Sequence, residues 1–513
     1  MRQSGLILHP TSLPGSGGIG ALGQAAQNFV DFLASAKQQL WQILPLGPTD
    51  FGNSPYMTIS AFAGNPLLID LEALRDQGWL PADELVDIPP AGPRVDFEAV
   101  IPFKARCLAK AFLGFQEKAT AAERAEVQSF RQAQGHWLED FALFVALRET
   151  REEKSWNQWP MPLRMREAAA LAEAKAALRD TIDRVVFEQF VFAQQWQALR
   201  RYANDKGVKI IGDVPIFVAY NSVDVWANRE IFRLDAEGHP THVAGVPPDY
   251  FSPTGQLWGN PLYRWDVLAQ RGYDWWVQRF ATTFAQVDMV RIDHFRGFEA
   301  FWEVAADAPN AIKGRWVKGP GMALFDTLRQ ELGALPVIAE DLGVITPEVE
   351  ALRDATGFPG MKVLHFAFGG DPNDVHLPHR HTHNTVVYPG THDNDTTQGW
   401  YTKLDSKTAD RVRLYFNIDG HDIGWQMLTA AWASVADRAL APVQDLLSLG
   451  SEARMNTPGE AKGNWGWRLL YWQLNPEMAL RLRRITERYG RALPEEAEAK
   501  KSDANDAAVS PLD

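Results

Sequence analysis

The segment MVRIDHFRGF, residues 289–298, begins as an apolar strand and ends in charge. Arg291, Asp293, His294 and Arg296 fall within six positions. In an extended chain, residues two apart share a face. Arg291 and Asp293 therefore point one way, and Val290 and Ile292 the other. An adjacent guanidinium favours the ionised carboxylate. Asp293 is thus expected to stay charged near neutral pH, as a nucleophile or a charge-stabilising group must. A structural ion pair at a strand end would use the same residues, so neighbouring segments have to discriminate. PVIAEDL (336–342) ends in Glu340 and Asp341, GTHDNDT (390–396) carries His392, Asp393 and Asp395, and KIIGDVPI (209–216) carries Asp213. Four apolar runs thus deliver an acid at their C-terminal ends. Two carboxylates in unlike environments are what glycosidic bond cleavage needs. One is ionised at the sugar carbon, and the other carries a proton for the leaving oxygen. Asp293 suits the first role. Glu340, with no sequence-adjacent Arg, suits the second. Asp393, beside His392, suits a grip on the hydroxyls of a distorted sugar ring.

The elements that must position these acids are short apolar runs bounded by Gly, Pro or polar clusters, the pattern of buried parallel strands. Eight are found: 5–10, 40–46, 209–216, 289–295, 336–342, 362–368, 384–390 and 438–447. Helical patterns lie between several of them, such as 22–39 and 322–333. Strand and helix in alternation predict an α/β fold, a (β/α)8 barrel, in which the C-terminal ends of the strands converge on one face. Two intervals exceed simple crossovers. Residues 47–208 predict a mainly helical insertion, and residues 217–285 a loop-rich one that forms a substrate lid. Both belong on the C-terminal face. The expectation is one catalytic unit over 1–495 and a disordered polar tail over 496–513.

Composition narrows the function. The chain has 513 residues, 46% hydrophobic and 22% charged, enough for a large core. Its net charge of −13 argues against a nucleic acid or an anionic membrane surface as partner. A single cysteine, Cys107, excludes an intramolecular disulfide and a cysteine-based zinc site. The apolar run near the N-terminus is too short for a signal peptide or a membrane span, so a cytoplasmic protein is expected. Tryptophan is abundant, with 19 residues that can fill a core or stack on sugar rings.

Nine motifs occur in order: LHPTSLPG (8–15), WQILPLGPT (41–49), SPYMTISAFAGNP (54–66), GDVPIFV (212–218), GVPPDYFSPTGQLWGNP (245–261), RIDHFRG (291–297), AEDLG (339–343), GTHDNDT (390–396) and NWGWR (464–468). Together they resemble the 4-α-glucanotransferases of glycoside hydrolase family 77, in the α-amylase clan, over about residues 4–490. The resemblance implies Asp293 as nucleophile of a covalent β-glucosyl enzyme, Glu340 as general acid/base and Asp393 as the third carboxylate. It implies that Asp213, Arg291, His294 and His392 hold the sugar at the cleavage point and that Tyr56 stacks on it. Tyr250 and Phe251 would fold over the glucan, with Asp249, Gln256, Trp258 and Asn464 as further contacts. The implied ligands are α-1,4-glucans, with no cofactor and no metal, in a monomer or homodimer. A hydrolase of the same clan would use the same acids. A magnesium barrel enzyme would also collect acids, but Arg291, His294 and His392 beside them disfavour a cation. The run HLPHRHTH (376–383) departs from the family at Arg380 and His381, where Asn and Tyr are expected. Its histidines read as a solvated loop rather than a metal site.

Overall fold

The computed structural model describes residues 2–248 and 252–493. Each of the eight apolar runs overlaps a strand, the sixth by only two residues: β1 Gln3–Ile7, β2 Leu40–Gln42, β3 Lys209–Pro215, β4 Met289–Asp293, β5 Val337–Ala339, β6 Gly360–Val363, β7 Thr385–Tyr388 and β8 Arg438–Pro442. They pair in parallel in the order β6-β7-β8-β1-β2-β3-β4-β5. Ala339 N–H donates to the carbonyl of Pro359, just before β6, at 2.9 Å, so the ring closes between β5 and β6. The result is a (β/α)8 barrel. Close approach of β1 and β2 depends on Gly5, where a Cβ would lie 2.0 Å from the Leu40 carbonyl oxygen.

Alternation along the strands sorts the side chains. Ile7, Leu40, Ile211, Met289, Ile338, Met361, Val386 and Leu440, one from each strand, pack together as a plug inside the barrel. Two residues on, the same inward face turns polar: Gln42, Asp213, Arg291, Glu340 and Tyr388. Val290 and Ile292 face the surrounding helices and are fully buried there. Among those helices, Gln24–Ser35 buries Ala26, Phe29, Val30 and Leu33, a single apolar stripe. Arg179–Asp205 ends before Gly207, whose φ of +79° lets the chain leave the helix.

The interval 47–208 is helical for most of its length, from Leu71–Asp76 through Phe97–Lys118 to Arg179–Asp205. The interval 217–285, read from sequence as loop, holds two strands, His242–Val246 and Gln256–Pro261. They join Ala300–Ala305 and Gly314–Lys318 in a four-stranded antiparallel sheet. Half of this sheet therefore comes from the β4–β5 connection, which the sequence reading treated as a simple crossover. The polar tail lies outside the described residues. Among the described residues, no helix is long and apolar enough to cross a membrane.

Arg491 joins the last helix to the barrel floor. It is fully buried, and its guanidinium donates to the carbonyls of Gln3, Trp432, Ser434 and Ala436 at 2.8–2.9 Å. Replacing Arg491 by Met leaves those carbonyls without donors, a loss of about 3 kcal/mol or more. Arg491→Met is expected to lower the midpoint of thermal unfolding by several degrees, read by circular dichroism. An unchanged midpoint would refute this brace.

Candidate active site

Three interactions in the barrel mouth build the site outward from Arg291. The register of β3 and β4 sets Asp213 directly beside Arg291. The guanidinium donates to Asp213 Oδ2 at 2.6 Å, with both side chains buried. Its other nitrogen lies 3.0 Å from Asp293 Oδ1, and the Asp293 side chain is 28% exposed. Asp213 is thus fixed inside the barrel, while Asp293 opens toward the cleft.

The β4–β5 ladder runs on into the catalytic turn. Glu340 N–H donates to Ile292 O at 3.0 Å, and Phe295 N–H donates to Glu340 O at 3.1 Å. Glu340 Oε2 accepts from the His294 N–H at 2.7 Å, and Oε1 from the Leu342 N–H at 2.9 Å. His294 adopts φ +55°, a left-handed conformation that costs a non-glycine residue about 1 kcal/mol or more. That strain turns the His294 amide onto Glu340 and so ties the two acids of β4 and β5 to one frame.

The β7 loop supplies the third wall. Tyr56 O–H donates to Asp213 Oδ2 at 2.7 Å, and its oxygen lies 2.9 Å from His392 Nε2. The Tyr56 and His392 rings stack with centroids 5.4 Å apart. His392 Nε2 also lies 3.3 Å from Asp393 Oδ2. The structure therefore brings Tyr56, Asp213, Arg291, Asp293, His294, Glu340, His392 and Asp393 together. Trp258 meets His294 edge-on at 4.9 Å, and its Nε1–H donates to Gln256 Oε1 at 3.1 Å, so both flank the same opening. Asn464 makes its hydrogen bonds inside its own loop, accepting from Thr457 N–H at 3.0 Å and donating to Glu460 O at 2.8 Å. Asp249, Tyr250 and Phe251 lie outside the described residues. Of the other acids in these motifs, Asp341 pairs with Arg353 at 2.6 Å and Asp395 with Lys403 at 2.5 Å, so both are structural.

Three residues were not singled out from sequence. Asn456 Nδ2 donates to Asp393 Oδ1 at 2.7 Å, and Arg454 donates to the Asp393 carbonyl at 2.6 Å. Trp465 packs against Tyr56 at 5.8 Å. Only Trp465 left a signal, the NWGWR motif. Asn456 and Arg454 reach Asp393 from some 60 residues along the chain and have no local pattern.

The electrostatics correct one expectation. Burial raises Asp293 to about 8, and the charges of Asp213, Glu340 and Asp393 add to the rise, against the pull of Arg291. Burial raises Glu340 as well. The pull of Arg291, which also pairs with Asp213 from another strand, offsets that burial only in part. The Asp293–Glu340 pair titrates together and keeps a proton near neutral pH. Burial lowers His294 to about 3 and lowers His392. Both imidazoles are therefore neutral, and His294 Nε2, His392 Nδ1 and Asp213 Oδ1 are buried with no hydrogen-bond partner among the described residues. Such orphaned atoms suit sugar hydroxyls.

Among the described residues, no group of His, Cys, Asp or Glu has the geometry to hold a metal ion. The histidine run is not a solvated loop throughout. His381 is buried, with Nδ1 2.8 Å from Ser434 Oγ and Nε2 3.0 Å from the His376 carbonyl. His376 Nδ1 accepts from the Val363 N–H at 3.1 Å. These rings fasten the segment before β7 to the barrel.

Known proteins resemble this chain over nearly its whole length. A family model described as 4-alpha-glucanotransferase, glycoside hydrolase family 77, matches residues 8–473. A 4-alpha-glucanotransferase from Thermus thermophilus is 51% identical over 95% of this chain and 98% of its own. One from Synechocystis is 49% identical over 96% and 98%. The amylomaltase of Streptococcus agalactiae, solved in complex with acarbose, superposes with a TM-score of 0.93 at 39% identity, covering 96% of this chain and all of that one. The barrel, its acids and these relatives agree: the chain belongs to the 4-alpha-glucanotransferases of glycoside hydrolase family 77.

Proposed function

We propose that this 4-alpha-glucanotransferase moves a segment of an α-1,4-glucan from a donor chain to the 4-hydroxyl of a glucose or glucan acceptor, by retaining double displacement. The observation that carries the reading is the Asp293–Glu340 pair, brought by adjacent strands to one mouth beside a single guanidinium. The donors are maltooligosaccharides or chains of starch or glycogen.

In the first step the Asp293 carboxylate attacks the anomeric carbon. Glu340 gives its proton to the glycosidic oxygen, and the shortened glucan leaves with a free 4-hydroxyl. Positive charge develops on the ring during this step. Four carboxylates around one guanidinium, with neutral histidines, give the field that stabilises it. In the second step Glu340 takes the proton of an acceptor hydroxyl, which displaces Asp293 and restores the α-linkage. Asp213, Arg291, His294 and His392 orient the sugar through the polar atoms left without partners, Asp393 grips its hydroxyls, and Tyr56 stacks on it. Asp249, Tyr250, Phe251, Gln256, Trp258 and Asn464 are proposed contacts along the glucan. Excluding water from the ester favours the sugar acceptor over hydrolysis.

Purified enzyme given maltotriose is expected to form glucose and a ladder of longer oligosaccharides while total reducing ends stay constant. Rising reducing ends with glucose and maltose alone would instead identify a hydrolase of the same clan. Asp293→Asn removes the attacking oxygen and is expected to lower kcat at least about a thousandfold. Glu340→Gln should slow transfer severely while leaving glucan binding, measured by calorimetry, within about threefold. Equal loss of binding would assign Glu340 a structural role.

The proton held by the pair sets the alkaline limit. A raised carboxyl is protonated below its pKa and loses the proton above it. The rate at low substrate is therefore expected to fall on the alkaline side, where the pair gives up its proton above the ordinary carboxylate range. Asp213→Asn removes one repelling charge and releases Arg291 to Asp293. Both effects lower the pair's affinity for the proton, so the alkaline limb of kcat/KM should move to lower pH. A limb that stays in place would contradict this charge sharing.

A further inference from the structure

We infer that the hairpin Ala300–Lys318 is a buttress for the cleft wall Ser252–Trp258, and that Trp302 is its positioning residue for the partition between sugar acceptor and water. The inference rests on the transfer reading above. Trp302 sits on the strand Ala300–Ala305, and its Nε1–H donates to the Ala311 carbonyl at 2.9 Å. Ala311 is fully buried in the loop of the hairpin, and its N–H donates to the Thr254 carbonyl at 3.1 Å. One residue thus connects the indole to the wall through both of its peptide groups.

The wall has no slack at this contact. Gly255 N–H donates to Ser252 O at 3.0 Å, and Ser252 Oγ–H donates to Gly255 O at 2.6 Å, closing a tight turn. Gly255 has φ +68°, and a Cβ there would lie 2.3 Å from Val246 O and 3.0 Å from the Ala311 methyl. Next to this turn come Gln256 and Trp258, and Trp258 meets His294 edge-on at 4.9 Å. A shift of Ala311 is therefore passed through Gly255 to the ring that flanks the reaction point. Trp316 closes the far side of Trp302, edge to face at 5.2 Å. Trp302 itself is partly exposed and touches none of the catalytic acids, so it acts through the wall and not on substrate.

The covalent glucosyl ester has two fates with the same bond broken. A sugar hydroxyl gives transfer, and water gives hydrolysis. The position of the wall decides how well water is kept out, so loosening the wall changes the partition without removing either acid.

Trp302→Phe keeps most of the ring and deletes the donor. Ala311→Val keeps the backbone and pushes a larger side chain against Gly255. Each variant is given maltotriose, with glucose release and total reducing ends followed together, and its unfolding midpoint is recorded. The hydrolysed share is expected to rise about fivefold in Trp302→Phe, the scale of one hydrogen bond, and to rise in Ala311→Val as the larger side chain displaces Gly255. Val at 311 also tests the idea if the Trp302 variant does not fold. A lowered midpoint with an unchanged hydrolysed share would overturn the inference, since the hairpin would then serve stability alone. Hydrolysis by the unsubstituted enzyme in place of transfer would overturn the functional reading itself, a separate result.

Discussion

A buried guanidinium between two carboxylates governs this structure. Arg291 is almost fully enclosed, and a charge taken out of water demands a partner. Parallel pairing of β3 and β4 supplies one directly, Asp213, in register across the ladder. Because the barrel interior below is a plug of aliphatic side chains, the polar layer has one place to go, the C-terminal mouth. The second nitrogen of Arg291 then meets Asp293 one pleat higher. The plug, the ion pair and the reactive carboxylate are thus successive layers of a single strand face: Met289, Arg291 and Asp293.

The same arrangement accounts for the acid and nucleophile roles proposed for neighbouring carboxyls in one site. Asp213 takes part of the charge of Arg291, which leaves the remaining carboxylates short of compensation. A proton is the remaining source, and the Asp293–Glu340 pair retains it. Histidines could have supplied positive charge instead, but burial keeps His294 and His392 neutral. The site therefore stays electron-rich, which opposes it to an anionic ligand and suits it to a cationic transition state. The strained His294 amide completes the frame by linking β4 to the Glu340 carboxylate.

Much of this was legible in the chain. Eight strands could be read because parallel strands covered on both faces are continuous apolar runs. The pairing of Arg291 with Asp293 followed from a period of two. The antiparallel sheet escaped because its strands are partly exposed and drawn from both sides of β4. The direction of the Asp293 shift escaped for a related reason. Sequence shows Arg291 two residues from Asp293 but neither the depth at which the barrel mouth buries the carboxyl nor Asp213 beside it, and burial outweighs the guanidinium. Asn456 and His381 were hidden likewise, since each owes its setting to residues about 60 and 50 positions away.

These misses share a cause that bears on how the enzyme works. Interactions within a strand set which chemical groups face the mouth, and those are local enough to read. Interactions between loops set how the groups are charged and how the opening is walled, and those are not. The barrel could carry the same acids with a different wall and resolve the ester with water. In this chain the β3–β4 and β4–β5 connections share one sheet, so the wall that flanks His294 is braced by the segment that follows β4. In the proposed reaction, the wall that sorts water from sugar and the strand that carries Asp293 are thereby joined through one antiparallel sheet.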